Sequence, residues 1–203
     1  MNQLFKARVL AVITILSLLF SAIGMPTNTV RAAAAWMAYN DCNTATGGSS
    51  GNITTYTIPS AGTATGLLKN YATGANTSVT ATITTYNSPL LDSNGVTPNS
   101  GTDAYDTFNG IVDLTGGIYY GSSGWYVDVT FTGLDPAKTY TFVTTANRNN
   151  AAYTDRVTKF TIRDITAATN ASTSGTTITT TTLANDTTAF NTYNTITGYV
   201  ARW

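Results

Sequence analysis

The stretch that decides the fold is 124-GWYVDVTFTGLDPAKTYTFVTTA-146. Trp125, Val127, Val129 and Phe131 alternate with Tyr126, Asp128, Thr130 and Thr132, the period of two of a strand with one buried face. A connection follows from Gly133 to Thr139. Tyr140, Phe142, Thr144 and Ala146 then alternate with Thr141, Val143 and Thr145, so the segment reads as two strands joined by a short ordered turn.

The same two-residue rhythm recurs along the chain. Ala35 to Asn40 reads as an edge strand with Trp36 in the core, and Asn52 to Ile58 as a strand stopped by Pro59. Ser60 to Gly66 reads as loop, and Leu67 to Tyr71 as either a helical turn or a strand start. Ser78 to Tyr86 is cleaner, with Val79, Ala81 and Ile83 set against threonines. Asn87 to Thr102, with two prolines and Asn94-Gly95, reads as one long surface loop. Thr107 to Leu114, Gly117 to Tyr120, Arg156 to Arg163, Thr176 to Leu183 and Tyr193 to Trp203 complete the set. About eight to ten strands and no helix longer than a turn predict an all-β, antiparallel two-sheet β-sandwich.

Composition agrees. Thr makes up about a fifth of the chain, every acidic residue is Asp, and Glu and His are absent, so helix formers are scarce and β-formers abundant. Lys6 and Arg8, the apolar run from Val9 to Ile23 and the small residues Ala32 to Ala35 have the layout of a secretory signal peptide over residues 1–34. The run is too short and too interrupted for a spanning helix. Residues 35–203 then form a single secreted or cell-surface domain with no membrane association after cleavage. Trp203 at the end of the last run leaves two readings: its ring tucks into the core, or the sequence is the front portion of a longer protein, the second being preferred. Without the leader the acids outnumber the bases and no basic cluster remains, which argues against nucleic acid as a partner. Cys42 is the one cysteine, so no internal disulfide forms, and it reads as a small buried apolar residue.

Leu134-x-Pro136-x-x-x-Tyr140 followed by Phe142 resembles the corner of a fibronectin type III module, in which the Tyr ring packs on the core and its hydroxyl reaches back to main chain. Lys138 stands where that corner usually has Thr, and the chain on either side is longer than such a module, so the corner alone is carried over. More widely, Tyr105 to Ile162 with the closing GYVARW resembles a poorly characterised β-sandwich module of large secreted bacterial proteins, similar in layout to galactose-binding-like jelly rolls. That resemblance implies an accessory domain, with further domains on the same chain, and supplies no catalytic residues.

The chemistry follows by elimination. Without His, the Ser-His-Asp, Cys-His and His-metal arrangements cannot be assembled, and no local pattern proposes a carboxylate pair for glycoside hydrolysis, so no enzyme activity and no cofactor are expected. Asp103, Asp106, Asn109 and Asp113 place hard oxygen donors in a Gly-containing segment, which suits a structural calcium but equally suits turns. The sharper expectation is aromatic. Tyr119, Tyr120, Trp125 and Tyr126 flank the turn from Gly121 to Gly124, where flat rings could stack on sugars. Arg148, Tyr153 and Asp155 lie on a polar loop able to orient a ligand. The resulting expectation is a non-catalytic module that binds carbohydrate or another extracellular polymer weakly, with a structural or adhesive spacer as the alternative. The platform requires at least two exposed, roughly coplanar rings beside a groove among Tyr119, Tyr120, Trp125, Tyr126 and Tyr153.

Overall fold

The computed structural model describes residues 37–42, 51–56, 62–92, 94–119, 121–148, 150–152, 156–173, 176–178 and 186–203; at 42, 56, 90–92, 119 and 176–178 the backbone alone is described. The leader region, Trp36 and the Cys42 side chain lie outside the described residues. The elements are β1 (Asn40–Cys42), β2 (Thr54–Tyr56), β3 (Gly62–Lys69), β4 (Asn76–Tyr86), β5 (Leu90–Asp92), α1 (Asp103–Phe108), β6 (Gly117–Tyr119), β7 (Tyr126–Thr132), β8 (Val143–Thr144), β9 (Val157–Thr161), β10 (Thr176–Ile178), β11 (Thr187–Asn191) and β12 (Ala201–Arg202). The chain is therefore rich in strands, with almost no helix. Among the described residues twelve strands replace the expected eight to ten, several of them only two or three residues long.

Three antiparallel strands, in the order β3-β4-β7, make the longest paired surface. Ala81 and Ile83 of β4 are buried, and Ala64, Leu68, Ile118, Val127 and Phe131 pack against them. Alternation sends Thr63 and Thr65 of β3, Thr80, Thr82 and Thr84 of β4, and Thr130 and Thr132 of β7 to the opposite face. β7 is the outer strand of this sheet, so the face fully covered over β4 is only partly covered over β7. Val129, expected inside, is 43% exposed, and Trp125 is exposed too.

β7 and β8 do not pair with each other. β7 joins β4, whereas β8 joins β12, so the connection from Gly133 to Phe142 carries the chain from one sheet to another. Gly133 starts this crossing at φ +79, and a Cβ there would strike the carbonyl oxygen of Ser78. The expected strand over Tyr140 to Ala146 shrinks to Val143–Thr144 for the same reason: its neighbour is a two-residue strand. Phe131 and Phe142 meet edge to face across the crossing, centroids 5.8 Å apart.

β9, β10 and β11 form a second antiparallel sheet with β11 at its centre. Thr187, Thr188, Ala189 and Phe190 are all buried there. The Thr187 hydroxyl survives burial by hydrogen bonding to Asp186 Oδ1 at 2.8 Å and pairing with the Thr161 hydroxyl at 2.9 Å. Phe190, Ala201 and Trp203 form a buried cluster with Phe142, Ala146, Phe160, Ile162 and Tyr199 around it. The Trp203 ring is inside the core. Its N–H and C=O exchange hydrogen bonds with Phe142 at 3.0 and 2.9 Å. The segment from Val200 to Trp203 is held on its other side by residues 171–173: Ala171 and Thr173 donate to the carbonyls of Arg202 and Val200.

The strand expected over Thr107 to Leu114 is corrected, because its first residues belong to α1 (Asp103–Phe108). Thr102 caps α1, its hydroxyl accepting from the Tyr105 N–H, and Asp103 and Asp106 occupy the first turn, where negative charge suits the helix dipole. Ala104, Thr107 and Phe108, at helical spacing, are the buried residues of the helix, and Ala104 and Phe108 pack with Tyr39, Ile53 and Val200. At six residues α1 exceeds the single turn expected. Two expected loops also contain strands: β3 begins in the Ser60 to Gly66 loop, and β5 pairs with β6 inside the long one.

Candidate functional site

The aromatic site lies at one end of the β3-β4-β7 sheet. The register sets Tyr86 of β4 directly opposite Tyr126 of β7. Their rings stack with centroids 4.2 Å apart and planes 13° from parallel, and they are 38% and 47% exposed. Cross-strand aromatic pairs of this kind contribute about 0.5–1.5 kcal/mol beyond area burial. The rings are stacked face to face and do not lie side by side, so the pair is not the coplanar platform expected.

The turns beside the pair are tightly built. Asn87 adopts φ +57, a left-handed conformation that Asn tolerates better than most residues. Its amide donates to the Gly124 carbonyl at 3.0 Å, and its own carbonyl accepts from Ser122 N–H at 2.8 Å. Gly121 lies so close to the backbone of residues 87–89 that a Cβ would collide with the Asn87 carbonyl oxygen. The GSSG turn is therefore clamped to the end of β4, and Trp125, whose N–H bonds Ser122 O at 3.1 Å, enters β7 beside the stacked rings.

Of the residues expected to bind a ligand, Trp125 and Tyr126 are exposed here. Tyr119 has its backbone in β6, and its side chain, with Tyr120, Tyr153 and Asp155, lies outside the described residues. Arg148 is placed by loop pairing: it bridges Gly95, and its N–H bonds Thr192 O at 2.9 Å. Next to it, Asn147 and the fully buried Asn194 form a polar clasp. Asn194 donates to Tyr199 O at 2.8 Å and accepts from Tyr199 N–H and the Thr197 hydroxyl. Tyr86 was not anticipated. Its signal was weak, one aromatic at the end of an alternating run, and its role depends on the pairing register.

The calcium quartet is divided among separate tasks. Asp103 accepts from Arg202 at 2.7 Å and from the Thr107 hydroxyl at 3.4 Å. Asp106 and Asn109 are exposed on α1 and its C-cap. Asp113 Oδ1 is taken by the N–H and hydroxyl of Thr115, as in an ordinary Asx turn. Among the described residues no group of three His, Cys, Asp or Glu side chains is arranged to hold a metal ion. Asp41, buried in β1, accepts from the Asp113 N–H at 2.9 Å. Burial raises the Asp41 pKa above 3.8; the Asp113 N–H opposes that shift and the Asp113 carboxylate adds to it.

At the other end of β7 the Tyr140 hydroxyl accepts from the Asp135 N–H at 2.8 Å, closing the Leu134–Tyr140 turn. The ring itself is exposed. Comparison of the chain with family models, curated proteins and solved structures finds no match.

Proposed function

We propose that this chain is a secreted or cell-surface, non-catalytic accessory module, a two-sheet sandwich of jelly-roll or galactose-binding-like layout, that binds carbohydrate through Tyr86 and Tyr126. The observation that carries the reading is the exposed, near-parallel ring pair at the edge of a rigid sheet. Tyrosine rings offer apolar faces for sugar C–H groups and hydroxyls for sugar oxygens, and a pair preset by strand register loses little freedom on binding. Three carboxylates already engaged in structural bonds support a non-catalytic role: buried Asp41 accepts from the Asp113 N–H, Asp103 is held by Arg202, and Asp128 is held by Arg163. The Tyr140–Asp135 bond supports the corner likeness.

The test is retention of the protein on insoluble polysaccharides, with cellulose, chitin and starch granules as probes, comparing wild type with a Tyr86→Ala, Tyr126→Ala double variant. Retention of the wild type on at least one of them, lost in the variant, is expected. A wild type that none retains, or a variant retained as well as wild type, leaves the spacer alternative in possession.

A further inference from the structure

The stacked tyrosines stand at the head of a larger surface. Across the same face of the sheet, ranks of side chains run Thr63-Thr84-Asp128, Thr65-Thr82-Thr130 and Leu67-Thr80-Thr132. Neighbouring strands set the members of a rank about 4.8 Å apart, and successive ranks follow at about 6.7 Å. Two of the ranks are knitted by hydroxyl pairs, Thr63 to Thr84 at 3.3 Å and Thr65 to Thr82 at 3.1 Å. In such a pair one hydroxyl donates to the other, so one O–H and several lone pairs remain for an outside partner. The methyl groups supply apolar contact beside them.

The charge on this face selects the partner. Between the tyrosine pair and Thr80 the strands themselves carry one formal charge, Asp128, and the Arg163 guanidinium neutralises it; Lys69, beyond Thr80 and paired with Asn76, donates to the Gly51 carbonyl. Over that length the surface carries no net charge, its Asp128–Arg163 pair cancelling, and its hydroxyls, methyls and two aromatic rings match an uncharged polymer better than a polyanion or polycation. From the tyrosine pair to Thr80 the face extends six residues along β4, about 20 Å. We infer that the outer face of β3-β4-β7 takes an internal segment of a linear, uncharged polysaccharide, lying along β4 with one sugar against the tyrosine pair and the next ones over the threonine ranks. This rests on the carbohydrate reading of the tyrosine site and adds the class of polymer and its path.

Native affinity electrophoresis tests it, with hydroxyethyl cellulose, laminarin and galactomannan as neutral probes and polygalacturonate and chitosan as charged ones. Retardation by at least one neutral polymer and by neither charged polymer is expected. For the retarding polymer, Thr82→Val with Thr130→Val lowers the affinity about fivefold, the loss of one ordinary hydrogen bond, while Thr82→Ser with Thr130→Ser retains it. Valine keeps strand propensity, so the variants hold the fold. If Tyr86→Ala with Tyr126→Ala abolishes retardation while the valine pair binds like wild type, the path along the threonines is wrong and the tyrosine site stands. Retardation by a charged polymer alone overturns the neutral class, and retardation by none of the five overturns both.

Discussion

Replacing Trp203 by Ala probes whether the segment from Val200 to Trp203 is part of the core or an appendage to it. Trp203 is 8% exposed and shares a cluster with Phe190, Ala201, Phe142 and Phe160. A buried aromatic side chain removes about 150–250 Å² from water, worth about 4–6 kcal/mol at about 25 cal/mol per Å². That is an upper bound, because the unfolded chain already covers part of the ring. Large-to-small series place Trp→Ala at about 3–5 kcal/mol, so a loss of about 4 kcal/mol is expected. The main-chain bonds to Phe142 do not depend on the side chain, so the substitution reports packing alone. In a domain of this size each kcal/mol moves the melting temperature by about 2–4 °C, a drop of about 8–16 °C. Thermal melts by circular dichroism and a urea titration give the two readouts; Trp203→Phe keeps part of the volume and loses about half as much. A drop of under about 3 °C for Trp203→Ala, with an unchanged urea slope, would show that the ring is not structural and refute the reasoning.

Two further predictions bear on the carboxylates of Asp41 and Asp103. Because the folded-state pKa of Asp41 lies above 3.8, its contribution to stability is complete below that value and is lost as pH rises through the folded value. Asp41→Asn, whose amide oxygen still accepts from the Asp113 N–H, therefore melts higher than wild type at pH 7, and the advantage disappears as pH falls toward 3.8; melts from pH 3 to 8 check this, and a pH-independent difference would contradict it. Arg202 and Asp103 form an ion pair at 2.7 Å with side chains 18% and 15% exposed, and Asp103 Oδ2 and Arg202 Nε are buried without a hydrogen bond among the described residues. Arg202→Ala strands the carboxylate and costs about 3 kcal/mol, whereas Arg202→Met with Asp103→Leu recovers most of it. Urea denaturation of both variants decides the point, and equal losses in the two would overturn it.

Strands with inward apolar residues at every second position were legible. β4 declares itself through Ala81 and Ile83, and both are buried. β3 did not, because its inward residues include Ala64 and Gly66, too small to mark a face; pairing with β4 overrides the loop-like composition. β11 was hidden differently: its buried threonines look polar, and the Thr187 hydroxyl is satisfied by Asp186 and by Thr161, the latter 26 positions away in sequence. α1 carried a readable signal in Thr102 followed by Ala104, Thr107 and Phe108, overshadowed by Asp and Asn residues that also form turns. At the site, Tyr126 was legible from its turn, whereas Tyr86 joins it only because register sets residue 86 against 126, and a one-residue slip would have separated them.

The strip from Val200 to Trp203 is made by the ribosome after everything it fastens. Arg202 reaches Asp103, 99 positions upstream, and Ser172, 30 upstream. Until it arrives, Phe142, Phe160 and Phe190 lack the ring that covers them, and closing such long loops brings no reward in advance. A partly synthesised chain of this sequence therefore completes its packing only once Trp203 has been added and these long loops have closed.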